Sequence, residues 1–282
     1  MTTATIEAPT DKYQSLSRFR IHYVEAGTGH PLILLHGGGP GATGMTNYGQ
    51  NIGPLAQHFR VLALDMPGWG DSDPQTRETG FDHPGVLIEF LDALGIDRAA
   101  LVGNSMGGMT SVTTATRFPE RVSHLITMGA PAPVPHIFSP AGPSEGIKVL
   151  ARAYHDMTPA NMKQLVETMV FDNAFATDEL STARCEAALT KPEHLQNWRN
   201  WAEDPRNPIT YFSLGNEISK ITAPSLIVQG RDDRVVPFES ALHLVSQIPD
   251  SRMVMFNRCG HWAQMEHADE FNRLVIDFVT NS

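Results

Sequence analysis

Short apolar runs alternate along this chain with stretches whose apolar residues recur at helical spacing. PLILLHG at 31–37 reads as a buried strand ending in a glycine loop, and RVLALD at 60–65 as a second strand that runs into the turn MPGWGDSD. Leu87, Phe90, Leu91 and Leu94 then repeat at helical spacing. AALVGNS at 99–105, VSHLITM at 122–128, SLIVQG at 225–230 and RMVMF at 252–256 read as further strands. Near the C-terminus, Phe271, Leu274, Val275, Phe278 and Val279 fall on one face of a final helix. Apolar runs this short and continuous suit strands covered on both sides. Strand and helix in alternation predict an α/β fold, with a mostly parallel sheet flanked by helices. In such sheets ligands bind beyond the carboxyl ends of the strands.

The alternation breaks between about Ala132 and Asn207. The stretch opens with Pro133, Pro135, Pro140 and Pro143 and then turns helical. Met162, Leu165, Val166, Met169 and Val170 form one apolar stripe. This predicts a helical lid, residues 133–207, inserted into a core made of residues 1–132 and 208–282. The stripe has two compatible uses: packing the lid on the core, and lining a substrate pocket.

Composition narrows the class. A chain of 282 residues fits one α/β unit, and 41% hydrophobic residues suffice for a sizeable core. The formal net charge of −10 argues against nucleic acid or an anionic membrane as the main partner. Cys185 and Cys259 are too few for a disulfide framework and suit a reducing, cytoplasmic setting. The N-terminus has no basic segment followed by an apolar run, so no signal peptide is expected. No apolar run approaches the roughly 18 residues of a membrane span.

Candidate chemistry centres on Gly103-Asn104-Ser105-Met106-Gly107, a G-x-S-x-G pattern between a predicted strand and a predicted helix. A sharp turn there strains the serine backbone, demands small neighbours and lifts the hydroxyl above the sheet. The next N–H sits at a helix N-terminus, where the dipole favours negative charge. The loop His36-Gly37-Gly38-Gly39-Pro40-Gly41 follows the strand PLILL, and its glycines allow close backbone approach to an oxygen. The N–H groups of Gly38 and Met106 are therefore the expected oxyanion donors. His36 reads as a packed structural histidine.

A serine hydroxyl needs a base, and histidine is the usual one near neutral pH. His261 lies after the strand RMVMF and before the last helix. The acid is expected after a strand between serine and histidine, as in GRDDRVVP at 230–237. Asp232 and Asp233 compete there. The G-x-x-D-x-x-x-P spacing favours Asp233, leaving Asp232 a structural or ionic role. The acid's task is to hold the imidazole tautomer and stabilise the imidazolium. Ser105, Asp233 and His261 in that order point to the α/β-hydrolase fold.

At this point the chain resembles a known family, the meta-cleavage product hydrolases, carbon–carbon bond hydrolases of bacterial aromatic degradation. The resemblance runs from about Phe19 to Val279. It is carried by HGGGPGATG at 36–44, Asn47, GNSMGG at 103–108, GRDDRVVP at 230–237, CGHWAQMEHADEFNRLVIDF at 259–278, and Arg184 and LTKPEHLQNW in the lid. It implies a small anionic 2-hydroxy-6-oxohexa-2,4-dienoate substrate, split by water into 2-hydroxypenta-2,4-dienoate and a carboxylic acid. It implies no metal or organic cofactor, and a homo-oligomer. By family position, Gly39, Asn47, Asn104, Arg184 and Trp262 contact the polar end of the substrate. Leu165, Met169 and Val235 line the distal pocket. Family members acting on aryl substrates carry aromatic side chains where this chain has Met169 and Val235, so a shape preference unlike that of a flat phenyl pocket is expected.

Two rival readings share parts of this pattern. A carboxylesterase or lactonase would use the same triad but would not need Arg184, Asn47 and Asn104. A receptor of the same fold would bind its ligand with little turnover.

Overall fold

The computed structural model describes residues 8–132, 138–139, 142–204 and 214–282. Eight strands form one sheet in the order β1-β2-β4-β3-β5-β6-β7-β8. They are β1 (Thr10–Ser15), β2 (Arg20–Ala26), β3 (Pro31–Leu35), β4 (Arg60–Leu64), β5 (Ala99–Asn104), β6 (Val122–Met128), β7 (Ser225–Gly230) and β8 (Ser251–Phe256). From β4 through β8 every neighbouring pair is parallel. β1 and β2 add an antiparallel extension beyond β4.

The central strands are apolar on both faces because both faces are covered. Ile33, Leu35, Leu101 and Leu125 pack with Leu87 and Phe90 of α2 (His83–Ala93) and Val112 of α3 (Met106–Arg117). The alternate residues Leu32, Leu34, Val102 and Ile126 pack with Tyr48 and Ile52 of α1 (Gly44–Ala56). Phe271 and Val275 of the C-terminal helix close the same layer. Burying one such side chain contributes about 1.5–3 kcal/mol, so the period-two alternation into two apolar layers fixes the sheet register.

Between β6 and β7 the chain leaves the sheet for four helices: α4 (Glu145–His155), α5 (Pro159–Met169), α6 (Asp178–Thr190) and α7 (Pro192–Ala202). Ser144, Thr158 and Thr177 accept N-cap bonds at the starts of α4, α5 and α6, which explains why these segments turn helical where they do. The stripe Met162, Leu165, Val166, Met169 and Val170 is buried against Val235, Val236 and Trp262 of the core. Pro133, Pro135, Pro140 and Asn207 lie outside the described residues. After β7 come α8 (Phe238–Gln247), α9 (Ala263–Glu266) and α10 (Ala268–Asn281). Among the described residues no helix is long and apolar enough to cross a membrane.

Candidate active site

Three loops at the carboxyl ends of β3, β5 and β6, and two more after β7 and β8, meet beneath the inserted helices. Ser105 sits between β5 and α3 with φ 52° and ψ −113°. Among the described residues, only Ser105 and Arg258 combine a side chain with positive φ. Such strain costs on the order of 1–3 kcal/mol and persists only where the surroundings impose it. They do so here. A Cβ on Gly103 would lie 2.2 Å from the Gly107 carbonyl oxygen, and one on Gly107 would lie 2.0 Å from the Leu35 carbonyl oxygen. Both flanking glycines are therefore required for helix α3 to approach β3 and β5 closely.

His261 follows β8 and is 3% exposed. Its Nδ1 lies 2.8 Å from Asp233 Oδ2. An ionised carboxylate only accepts, so Nδ1 carries the proton and Nε2 keeps its lone pair. Asp233 is held in turn: Oδ1 accepts from the N–H groups of Val235 (2.7 Å) and Val236 (3.0 Å), and Oδ2 from the Gln229 side-chain amide (3.2 Å). Asp232 instead faces Arg231 at 3.5 Å. The loop after β7 thus presents Asp233, not its neighbour, to the imidazole. Gly129 passes behind the pair at φ 54°, and a Cβ there would sit 2.6 Å from His261 Nδ1. Ser105 and His261 line the same cavity. Among the described residues no hydrogen bond joins the Ser105 hydroxyl to His261 Nε2. Such contacts often tighten only around substrate.

The loop after β3 faces the nucleophile turn. A Cβ on Gly37 would lie 3.4 Å from Ser105 Cβ, and one on Gly38 would lie 3.3 Å from Met106 Sδ. The N–H groups of Gly38 and Met106 have no protein acceptor among the described residues. Two amides near the nucleophile, one of them at the N-terminus of α3, are suited to a developing oxyanion. His36 is fully buried, and burial lowers its pKa. Its Nε2 accepts from the Met66 N–H at 2.9 Å, so Nδ1 is the protonated nitrogen and donates to the Gly37 carbonyl at 2.8 Å. It is a packed histidine, as its sequence position suggests.

Arg184, from α6, is 4% exposed. Its guanidinium carbon lies 4.8 Å from the ring centroid of Trp262, and it lines the cavity that holds Ser105. Its Nη1 is buried with no protein partner, and among the described residues Arg184 makes no ion pair. Burial lowers its pKa to about 10, which still leaves it charged near neutral pH. Asn47 and Asn104 line the same cavity and bond each other, Nδ2 to Oδ1, at 3.4 Å. The Asn104 amide also donates to the carbonyls of Met128 and His261, so it ties the nucleophile turn to the histidine loop. Gly39, Trp262, Leu165, Met169 and Val235 all line the cavity as well.

Residues passed over in the sequence complete the picture. Gly129 and Gln229 support the histidine and the acid, while Trp69 and Tyr154 hold the glycine loop. His194, from α7, lines the cavity with a buried, unpartnered Nε2. Gly129 was open to detection as a glycine directly after a strand. The others carry no local signal, because their roles exist only across long chain separations.

The α/β-hydrolase fold family matches residues 31–268. A 2-hydroxy-6-oxo-6-phenylhexa-2,4-dienoate hydrolase of Burkholderia cepacia is 42% identical over 99% of this chain and 99% of its own length. A 2-hydroxy-6-oxononadienedioate/2-hydroxy-6-oxononatrienedioate hydrolase of Cupriavidus pinatubonensis is 41% identical over 99% of this chain and 98% of its own length. Among solved structures, the meta-cleavage product hydrolase of Pseudomonas fluorescens IP01 superimposes with a TM-score of 0.84 at 32% identity, covering 95% of this chain and 97% of that one. The chain therefore belongs to the α/β-hydrolase family and, within it, to the meta-cleavage product hydrolases, serine-type enzymes that cut carbon–carbon bonds with water.

Proposed function

We propose that this protein hydrolyses a 2-hydroxy-6-oxohexa-2,4-dienoate-type ring-fission product to 2-hydroxypenta-2,4-dienoate and a carboxylic acid. The observation that carries the reading is Arg184: a buried cation with an unpartnered Nη1, opening on the cavity that holds Ser105 and His261. A buried guanidinium left in this state is matched by a substrate carboxylate, which it binds in a fork. An ester pocket has no use for it. Asn47, Asn104, Gly39 and Trp262 surround the same polar end of the substrate.

The chemistry follows from this placement. The dienol first becomes a ketone, so that the bond to carbon 6 gains an electron sink. Ser105 passes its proton to His261 Nε2 and its oxygen adds to the carbon-6 carbonyl. Asp233 stabilises the imidazolium, and the Gly38 and Met106 amides hold the oxyanion. When the tetrahedral centre collapses, the carbon–carbon bond breaks. Its electron pair goes to the dienolate, which is protonated as it leaves. Water, deprotonated by His261, then hydrolyses the acyl-enzyme and restores the serine. The inserted helices act as a lid, with Leu165, Met169 and Val235 facing the carbon-6 substituent. Met169 and Val235 leave this end shaped differently from a flat phenyl slot.

Two free, buried cysteines suit a reducing compartment, and we place the protein in the cytoplasm. A homo-oligomeric state is proposed on family resemblance. The test of function is product analysis with dienols bearing alkyl, phenyl or bulkier carbon-6 groups. The expected result is 2-hydroxypenta-2,4-dienoate and the matching acid, one for one. Protein that cuts simple esters but leaves every dienol intact would refute the reading.

A further inference from the structure

The loop that carries the Gly38 amide is built from three successive glycines, residues with little conformational preference of their own. It is held by its carbonyls. The Gly37 carbonyl accepts from His36 Nδ1 at 2.8 Å, the Gly38 carbonyl from the Tyr154 hydroxyl at 2.8 Å, and the Gly39 carbonyl from Trp69 Nε1 at 3.0 Å. In a trans peptide the C=O and N–H point opposite ways. Fixing the Gly37 and Gly38 carbonyls therefore aims the Gly38 and Gly39 N–H groups to the other side. Gly38 and Gly39 both line the cavity.

His36 and Trp69 belong to the core, whereas Tyr154 belongs to α4 of the insertion. Its bonding has one direction only. Trp69 Nε1 can only donate, and it lies 3.2 Å from the Tyr154 oxygen. Tyr154 is 2% exposed, and burial raises the pKa of its phenol, so the hydroxyl keeps its proton. That single proton goes to the Gly38 carbonyl. The ring is fixed as well, stacked on Trp198 of α7 at 3.7 Å with 7° between the planes.

We infer that Tyr154 is a positioning residue through which the seated insertion completes the oxyanion site. The insertion then does more than cover the cavity: it orders the glycine loop beside the reacting carbonyl. This rests on the assignment of the Gly38 amide to the oxyanion: His36 fixes the peptide that carries this N–H, and Tyr154 fixes the next peptide, so Gly38 is pinned from both sides. It does not depend on the identity of the substrate, because ester and ketone both pass through a tetrahedral anion.

The test is Tyr154→Phe, which keeps the stack on Trp198 and removes the one donor. Wild type and variant are compared on a dienol and on an activated ester, with melting temperature recorded for both. On whichever substrate the wild type turns over, kcat should fall about ten-fold or more, with KM changed little. Affinity for a boronic acid, whose boron becomes tetrahedral on the Ser105 oxygen, should weaken in parallel. Binding of the dienoate to a Ser105→Ala background should not change. An unchanged kcat and boronate affinity overturn the inference. So does an equal loss of boronate and dienoate affinity, which marks a purely structural role. Wild-type protein inert toward dienols but active on esters would refute the proposed substrate while leaving this comparison intact.

Discussion

Replacing Arg184 with glutamine is the sharpest perturbation of substrate recognition. Arg184 is 4% exposed, makes no ion pair among the described residues, and keeps Nη1 buried without an acceptor. A carboxylate held by a guanidinium fork gains two charge-assisted bonds, each with a net value of about 1.5–3 kcal/mol. Loss of the fork, offset in part by one neutral amide bond, then costs roughly 3–4 kcal/mol, or about 10²–10³ in affinity. The assay is equilibrium titration of the coloured dienoate into Ser105→Ala protein with and without Arg184→Gln. A methyl ester of the same dienoate serves as the second arm of a double-mutant cycle. The ester should bind the parent weakly and lose little more in the variant. Stability sharpens the test. Arg184 makes no ion pair with a described residue, and its contact with the Trp262 ring leaves no polar group behind when it goes, so Arg184→Met removes a desolvated charge without orphaning any group, and its melting temperature should equal or exceed that of wild type. Carboxylate binding within about three-fold of the parent, or a large fall in melting temperature, would refute the reasoning.

Three further outcomes follow from the geometry. Asp233→Asn leaves space and shape unchanged but removes the charge that fixes the His261 tautomer, so kcat should fall about 10³–10⁴-fold; steady-state turnover within about ten-fold of wild type would count against the assignment. Gly129→Ala would put a Cβ 2.6 Å from His261 Nδ1 at a positive φ, and a displaced imidazole should cost activity on the order of 10², seen as lost kcat in protein that still folds. Burial lowers the pKa of His83 to about 4, against an ordinary value of 6.5. Because the unfolded chain takes up this proton below about pH 6.5 and the folded protein does not until about pH 4, stability present above pH 6.5 is lost as pH falls through that window, by up to about 3 kcal/mol. Urea unfolding across pH 4–7.5 should show a flatter dependence for His83→Gln, and identical slopes would contradict the burial argument.

What the sequence reveals depends on whether a role is local. The six parallel strands announce themselves because each is a short apolar run, and all but the edge strand β8 are closed on both faces. β1 and β2 carry no such signal: TDKYQS is polar and almost wholly exposed at the sheet edge, and RIHYVEA carries polar residues through its length. Helix α1 is hard to read for a related reason. Its apolar stripe is short, Tyr48, Ile52 and Leu55, and it is flanked by the buried polar residues Asn47 and Asn51 and by Pro54 near the helix end, so the apolar periodicity is diluted. Ser105 and His261 were legible as motif positions. The choice between Asp232 and Asp233 rested on spacing, and the physical ground is the turn after β7, where the Val235 and Val236 amides hold the Asp233 carboxylate. Arg184 had only its family position to mark it, since the same residue on an exposed helix is a solvated charge. Tyr154 had no mark at all: its partner Gly38 lies 116 residues away.

The central claim is that the Ser105 oxygen performs the cleavage while Arg184 holds the substrate. Release of the carboxylic acid, followed in a single turnover with dienol bound to excess enzyme, reads this most directly. The account predicts that Ser105→Ala binds dienol about as tightly as wild type yet releases acid at least about 10³-fold more slowly. Acid released at near wild-type rate, or binding and release lost together, would contradict it.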